Sequence, residues 1–212
     1  MRETQDLGVR TFPLTEETRQ RAAEIIARGG VIAFRTDTFY GLGADPFNHQ
    51  AVEKIKTLKG REERKPILIV VSDEDQIDRF IVGESNAFRQ LARMFWPGPL
   101  TLIGAAQPAL PEAVTAGSKS VGVRLPSDDK VRVLIRSCGG ALTATSANPS
   151  TLAPAATVKM VESYFGDQLD LIIDDGPAQT DLPSTVVDAS GAEPKLVREG
   201  VIAWSAIQKA GL

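Results

Sequence analysis

A mixed α/β protein, with one twisted sheet carrying helices on both faces, is what this sequence predicts, and three features predict it. Short apolar runs such as "GVIAF", "PILIVV" and "LDLIID" have the length and branched residues of buried strands. Between them lie longer segments whose apolar residues recur at helical spacing. The two kinds intermix without strict alternation, which fits a mixed sheet better than a purely parallel one. The 212 residues, 42% hydrophobic and 24% charged, suffice for one large domain spanning 1–212. No repeat, low-complexity tract or long linker divides them.

The first helix is announced by "LTEETRQRAAEIIARGG", with Thr15 as cap, Glu16 and Glu17 at the positive end of the dipole and Gly29 as stop. The strand "GVIAF" feeds a loop, "RTDTFYGLGAD", in which small hydroxyls and permissive backbone crowd together, as a loop approaching a ligand requires. "NHQAVEKIKTLKG" reads as a helix with Val52, Ile55 and Leu58 on one face, ended by Gly60. "PILIVV" follows as a strand, Ser72 opens a short acidic helix, and "NAFRQLARMFW" forms another around Phe88, Leu91, Ala92 and Phe95. A sharp turn at "WPGP" leads to a strand, "SVGVRLP" is the next, and "DDKVRVLIRSCGG" is a helix. "ALTATSANPS" starts as a strand and ends as a polar loop. A helix at "ATVKMVESYFG", the strand "LDLIID", a hairpin from "STVVDAS" and "PKLVREG", and a helix near "AWSAIQKAG" complete the chain.

Composition excludes several classes. A net charge of −3 and a pI near 5.3 argue against a protein that coats nucleic acid. One cysteine, Cys138, and one histidine, His49, leave no disulfide framework, zinc site or Cys–His dyad. Cys138 reads as a small buried residue, and His49 receives no role. "MRETQDLGVR" lacks a signal-peptide core and no apolar stretch reaches ~18 residues, so no membrane partner and a cytoplasmic location are expected.

Four polar clusters carry the candidate chemistry. The first is the threonine–glycine loop quoted above. In "KGREERKP", Lys59, Arg61, Arg64 and Lys65 form either a solvated turn complementing a helix C-terminus or an anion clamp; it is not a Walker loop. In "TATSANPS", Thr145, Ser146 and Asn148 either form a turn or hydrogen-bond a phosphate or base edge. "LPSTVVDAS" places Ser184 and Thr185 at a strand entrance. Arg124 and Arg198, in short strands, either snorkel to solvent or meet an anion. Covalent catalysis has no nucleophile–base pair to work with, whereas hydroxyls and cations suit a reaction driven by positioning and charge stabilisation, such as phosphoryl or nucleotidyl transfer.

The ordered succession "TDTFYGLGAD", "KGREERKP", "WPGPLT", "VRLP", "TSAN" and "STVVD" resembles the YrdC-like threonylcarbamoyl-AMP synthase family, from about residue 15 onward. The resemblance implies a concave, positively charged pocket. It also implies a reaction in which L-threonine, bicarbonate and ATP give threonylcarbamoyl-AMP and pyrophosphate. Downstream proteins would then transfer the threonylcarbamoyl group to an adenosine of tRNA, with at most weak tRNA contact by this chain. Carried over by position, Lys59, Arg61 and Lys65 grip the phosphates, and Ser146 and Asn148 stand beside the nucleotide and the reacting carbonyl. Lys59, Arg61, Ser146 and Asn148 are thus the catalytic set. Thr38, Arg124 and Ser184 meet threonine, Arg124 through the carboxylate, and Ser120 and Arg198 contact the nucleotide. Mg2+ is carried by ATP. The length fits the short form of the family, without the further C-terminal domain of longer members.

Departures from the family pattern fall at Arg35, where proline is common, Val70, near which histidine is common, Thr151, in place of glycine, and Ala153–Pro154, where a serine is common. The alternatives are an RNA-binding module, which the net charge and scarce aromatics oppose, and an inactive paralogue, which the intact K-x-R and S-x-N motifs oppose. A longer relative with cysteine-rich zinc modules is excluded at full length by the single cysteine.

Overall fold

Capping side chains and glycines set the element boundaries. In the computed structural model, which describes residues 11–60 and 65–209, strand β1 (Thr11–Pro13), unexpected from the sequence, leads into helix α1 (Glu16–Ala27). The Thr15 hydroxyl accepts the Thr18 amide and caps α1. Strand β2 (Ile32–Arg35) is followed at once by β3 (Tyr40–Gly43). Here the expectation needs correcting: "YGLG" is not loop but strand, paired antiparallel with β2 from Ile32↔Gly43 to Arg35↔Tyr40. Gly41 and Gly43 carry no side chains to display a period of two, so the pattern was hidden.

Helix α2 (His49–Lys59) is capped by the Asn48 side chain and ended by Gly60 at φ 54°. Val52 and Ile55 are buried as expected, but the buried face continues through Lys56 and Lys59, and Leu58 is only half-buried. Strand β4 (Ile69–Val71) is shorter than "PILIVV" suggests, and the acidic segment is a 3₁₀ turn at Glu74–Arg79. Then come α3 (Asn86–Phe95), β5 (Leu100–Ala105), an unexpected single turn α4 (Glu112–Thr115), β6 (Ser120–Arg124) and α5 (Asp129–Ser137). The chain continues with β7 (Ala141–Thr143), β8 (Thr145–Ser146), α6 (Val158–Phe165) and β9 (Leu171–Asp174). It closes with the expected hairpin of β10 (Thr185–Asp188) and β11 (Lys195–Arg198), and α7 (Trp204–Gln208).

The strands form two mixed sheets, not the single sheet expected. One runs β1-β9-β2-β3-β8 and the other β11-β10-β5-β6-β4-β7. The switch lies in one short stretch. β7 pairs with β4 in the second sheet, and two residues on β8 pairs with β3 in the first, Gly41 opposite Ser146. Thr143, fully buried, stitches the crossing: its hydroxyl donates to the Leu42 carbonyl at 3.1 Å and accepts the Ala44 amide at 2.9 Å. Periodicity reports which face of a strand is apolar, not which ladder the strand joins, so the switch left no mark in the sequence.

Helices cover both faces, as expected. β2 shows why both must be covered: Ile32 and Phe34 join an apolar cluster with α1 and α5, while Val31 and Ala33 join the larger cluster that includes α2 and α3. Cys138 packs against the α1–α5 cluster, where burial pushes its thiol up to about 12. No helix among the described residues is long and apolar enough to cross a membrane.

Candidate active site

Where the two sheets diverge at the β7–β8 crossing, a cavity of about 380 Å³ opens, within the range of small-molecule sites. One wall is the turn between β2 and β3 (Thr36, Thr38, Phe39) with Gly41; the facing wall is β5, β6 and β10, through Thr101, Gly122 and Val186. Of the residues singled out in the sequence, Thr38, Arg124, Thr145, Ser146, Pro154, Ser184 and Arg198 line it. Among the described lining residues the only charged groups are Arg124 and Arg198.

Strand alternation explains the placement on β6. Ser120, Gly122 and Arg124 share one face, and Gly122 and Arg124 reach the cavity. Ser120 lies beyond the cavity wall, its hydroxyl 3.0 Å from that of Ser118. Arg124 is buried. Its Nη1 donates to the Thr38 hydroxyl at 3.2 Å, its Nη2 lies 3.4 Å from Asp37 Oδ1, and its Nε has no hydrogen-bond partner. Burial pulls this guanidinium below its ordinary value, with Asp37 acting in the opposite sense. Arg198 reaches back from β11 to donate to the Ser184 carbonyl at 2.9 Å and the Ser184 hydroxyl at 3.2 Å. That hydroxyl is 2.9 Å from Thr101 Oγ1. Burial first, and the neighbouring Arg124 cation second, lower Arg198 as well. Two buried guanidiniums line one cavity, and the charge of Arg124 bears on Arg198, which makes an anion between them favourable.

The lysine and asparagine of the catalytic set bond to each other and to the loop around them. Lys59 is 3% exposed, and its ammonium donates to the Ser146 carbonyl, to the Asn148 carbonyl at 2.7 Å and to Asn148 Oδ1 at 3.3 Å. The Asn148 amide in turn donates to the carbonyls of Pro149 and Leu152, at 2.9 and 2.6 Å. Both side chains therefore shape the loop after β8. Arg61, with Arg64, lies outside the described residues. Lys65 is exposed and immediately precedes Pro66, which lines the cavity.

The departures sort by distance from the cavity. Pro154 lines it and Thr151 is exposed, whereas Val70 is fully buried in the α1–α5 cluster and turned to the core. Arg35 is the most consequential. Buried at the end of β2, it donates to the Asp175 carbonyl at 2.9 Å, to Asp175 Oδ2 at 2.5 Å and to Asp128 Oδ2 at 2.9 Å. Burial works against its charge, but Asp175 and Asp128 outweigh it and hold the guanidinium above its ordinary value. Asp128 also caps α5, so one arginine ties the ends of β2 and β9 to the start of α5.

The family model Sua5/YciO/YrdC, described as "Telomere recombination", matches residues 24–200. The chain belongs to this family. A threonylcarbamoyl-AMP synthase of Halorhodospira halophila is 34% identical over 87% of this chain and 95% of its own length. One of Pyrococcus abyssi is 33% identical over 89% of this chain, which spans 55% of that longer relative. A crystal structure of P. abyssi Sua5 complexed with L-threonine superposes with a TM-score of 0.90 at 31% identity, covering 95% of this chain and 59% of that one.

Sequence reasoning gave no role to Asp37, Thr101 or Gly122, while Gly41 lies in the threonine–glycine loop it singled out. The glycines are informative, because strand interiors disfavour glycine unless something approaches closely. A Cβ added at Gly41 would meet Thr145 O, Ala144 Cα and Thr36 Cγ2 at 3.5–3.7 Å, ordinary contacts that the protein itself tolerates. Gly41 itself lines the cavity. Gly41→Ala is expected to leave the thermal midpoint within about 2 °C while raising a substrate KM about tenfold or more, measured by steady-state kinetics.

Proposed function

We propose that the chain is a threonylcarbamoyl-AMP synthase, which joins L-threonine, bicarbonate and ATP into threonylcarbamoyl-AMP with release of pyrophosphate. The observation that carries this is a cavity whose charged lining among the described residues is two arginines, set among the hydroxyls of Thr36, Thr38, Thr101, Thr145, Ser146 and Ser184. Such a lining binds anions and orients them; it supplies no side-chain nucleophile, and the reaction needs none. Threonine's amine adds to the carbon of bicarbonate and water leaves, giving a carbamate. A carbamate oxygen then attacks the α-phosphorus of ATP, and pyrophosphate departs.

The roles are those the resemblance implies, and lining the cavity supports them for Thr38, Arg124, Ser146, Ser184 and Arg198. Arg124 receives the threonine carboxylate, with the Thr38 and Ser184 hydroxyls beside it. Arg198 and Ser146 face the nucleotide, and Lys59 with Asn148 fix the loop that presents Ser146. Arg61 and Lys65 serve the phosphates, with Mg2+ carried by ATP, as suits an ion that keeps several waters and dehydrates reluctantly. The product is an activated mixed anhydride, which further proteins would pass to an adenosine of tRNA, with at most weak tRNA contact by this chain and in the cytoplasm.

The test is pyrophosphate release from ATP and bicarbonate with L-threonine, with serine, and with no amino acid. Release is expected to depend on threonine. Absence of release from folded protein, with RNA retention that falls steeply with salt, would overturn the reading in favour of an RNA-binding module.

A further inference from the structure

Asp37 is the acid of the "RTDTFYG" turn, lying between two residues that line the cavity while itself standing behind the wall. Its carboxylate has two unlike oxygens. Oδ2 accepts the Ser127 amide at 3.2 Å and approaches the Ser127 hydroxyl at 3.4 Å. Oδ1 has no hydrogen bond and stands 3.4 Å from Arg124 Nη2, in a pair whose side chains are 2% and 3% exposed. The carboxylate is thus anchored by the segment after β6, not by the arginine it neutralises.

We propose that Asp37 is a positioning residue that balances the buried charge of Arg124 and keeps it aimed while leaving its terminal donors for the threonine carboxylate. The inference rests on the synthase reading. A tight, bidentate Arg–carboxylate pair would occupy a whole edge of the guanidinium. Here the ion pair is loose, and among the described residues Nη1 meets only the Thr38 hydroxyl; Nε, sealed from solvent, has no partner there and is not a donor the substrate reaches. Without a counter-charge, the buried cation would keep its charge with its desolvation unoffset, and the side chain would be drawn out towards solvent. With Asp37 locked onto Ser127, the counter-ion stays in place when an incoming carboxylate pulls on Arg124. The alternation of the turn completes the arrangement: Thr36 and Thr38 line the cavity, and Asp37, between them, meets Nη2 of the arginine behind the wall.

The experiment compares wild-type protein with Asp37→Asn, Asp37→Glu and Ser127→Ala, measuring pyrophosphate release and, by calorimetry, L-threonine binding. Asp37→Asn keeps the size and the Ser127 contacts but removes the charge. It is expected to raise the KM and Kd for L-threonine about tenfold or more while the KM for ATP changes less than about twofold, and Asp37→Glu is expected to recover part of the loss. Ser127→Ala, which keeps both charges, is expected to weaken threonine binding by a smaller factor, about two- to fivefold, and serves as the test if Asp37→Asn does not fold. Equal shifts in both KM values, or folded variants that bind threonine as the wild type does, would overturn the proposal. If the wild type itself neither binds threonine nor releases pyrophosphate, the synthase reading falls, and this inference with it; an active wild type with indifferent variants sinks the inference alone.

Discussion

Arg124→Met is expected to lose threonine-dependent pyrophosphate release by about a hundredfold or more and to destabilise the fold at the same time. The first effect is the loss of a buried charge-assisted contact to a reacting substrate, an interaction of the size that oxyanion-type donors supply. The second comes from the partner left behind. Removing one member of a buried ion pair strands the other, at a cost of about 3–5 kcal/mol. Here the stranded group is Asp37, whose side chain is 2% exposed. In a chain of this size that corresponds to a thermal midpoint lower by about 10 °C. The double variant Arg124→Met/Asp37→Asn separates the two: stability should largely return, since no buried charge remains, while activity stays lost. Thermal unfolding and single-substrate kinetics on the same preparations check both. Recovery of activity in the double variant would show that Arg124 matters only for folding.

Lys59→Met should be nearly as damaging by a different route. Its ammonium satisfies buried acceptors on Asn148 and the half-buried carbonyl of Ser146. Buried acceptors left unsatisfied cost about 1–3 kcal/mol each. The loop from Ser146 to Leu152 would lose the pin at its centre, so the KM for ATP should rise about tenfold or more with the threonine KM changing less. Lys59→Arg should not rescue it, because three oxygens converge on one point and a planar fork reaches outward along fixed directions. A variant that keeps its melting temperature and its ATP KM would show that the loop holds its shape unaided.

Much of the fold was legible from local chemistry. Thr15, Asn48 and Asp128 cap the helices that the patterns predict, and the β10–β11 hairpin lies where turn residues separate two apolar runs. What escaped was non-local. β3 was disguised by Gly41 and Gly43, β1 is too short to show a period, and the split into two sheets is decided by what Thr143 and Ala144 bond to, not by what they are. The site divides along the same line. Thr38, Arg124, Ser146, Ser184 and Arg198 come together at one cavity because strand ends put them there. Asp37 stayed unread because its partner is 87 residues further on, and nothing local distinguishes a turn-forming aspartate from a counter-ion. Lys59 was visible as a cation, but a cation's target is set by the loop it meets.

The clasp made by Arg35 has a bearing on how the protein comes to be made. It joins residues 140 apart along the chain, and β9, which it secures, is inserted between β1 and β2. While the polypeptide is still emerging from a ribosome, β2 offers Ile32 and Phe34 along an unfilled edge until Asp174 has been translated, and the strand bearing Arg198 arrives later still. Pairings that span so much sequence form slowly and leave sticky intermediates exposed in the meantime. The pocket is therefore completed late: a chain cut short before its last fifth lacks the wall that Ser184, Val186 and Arg198 supply.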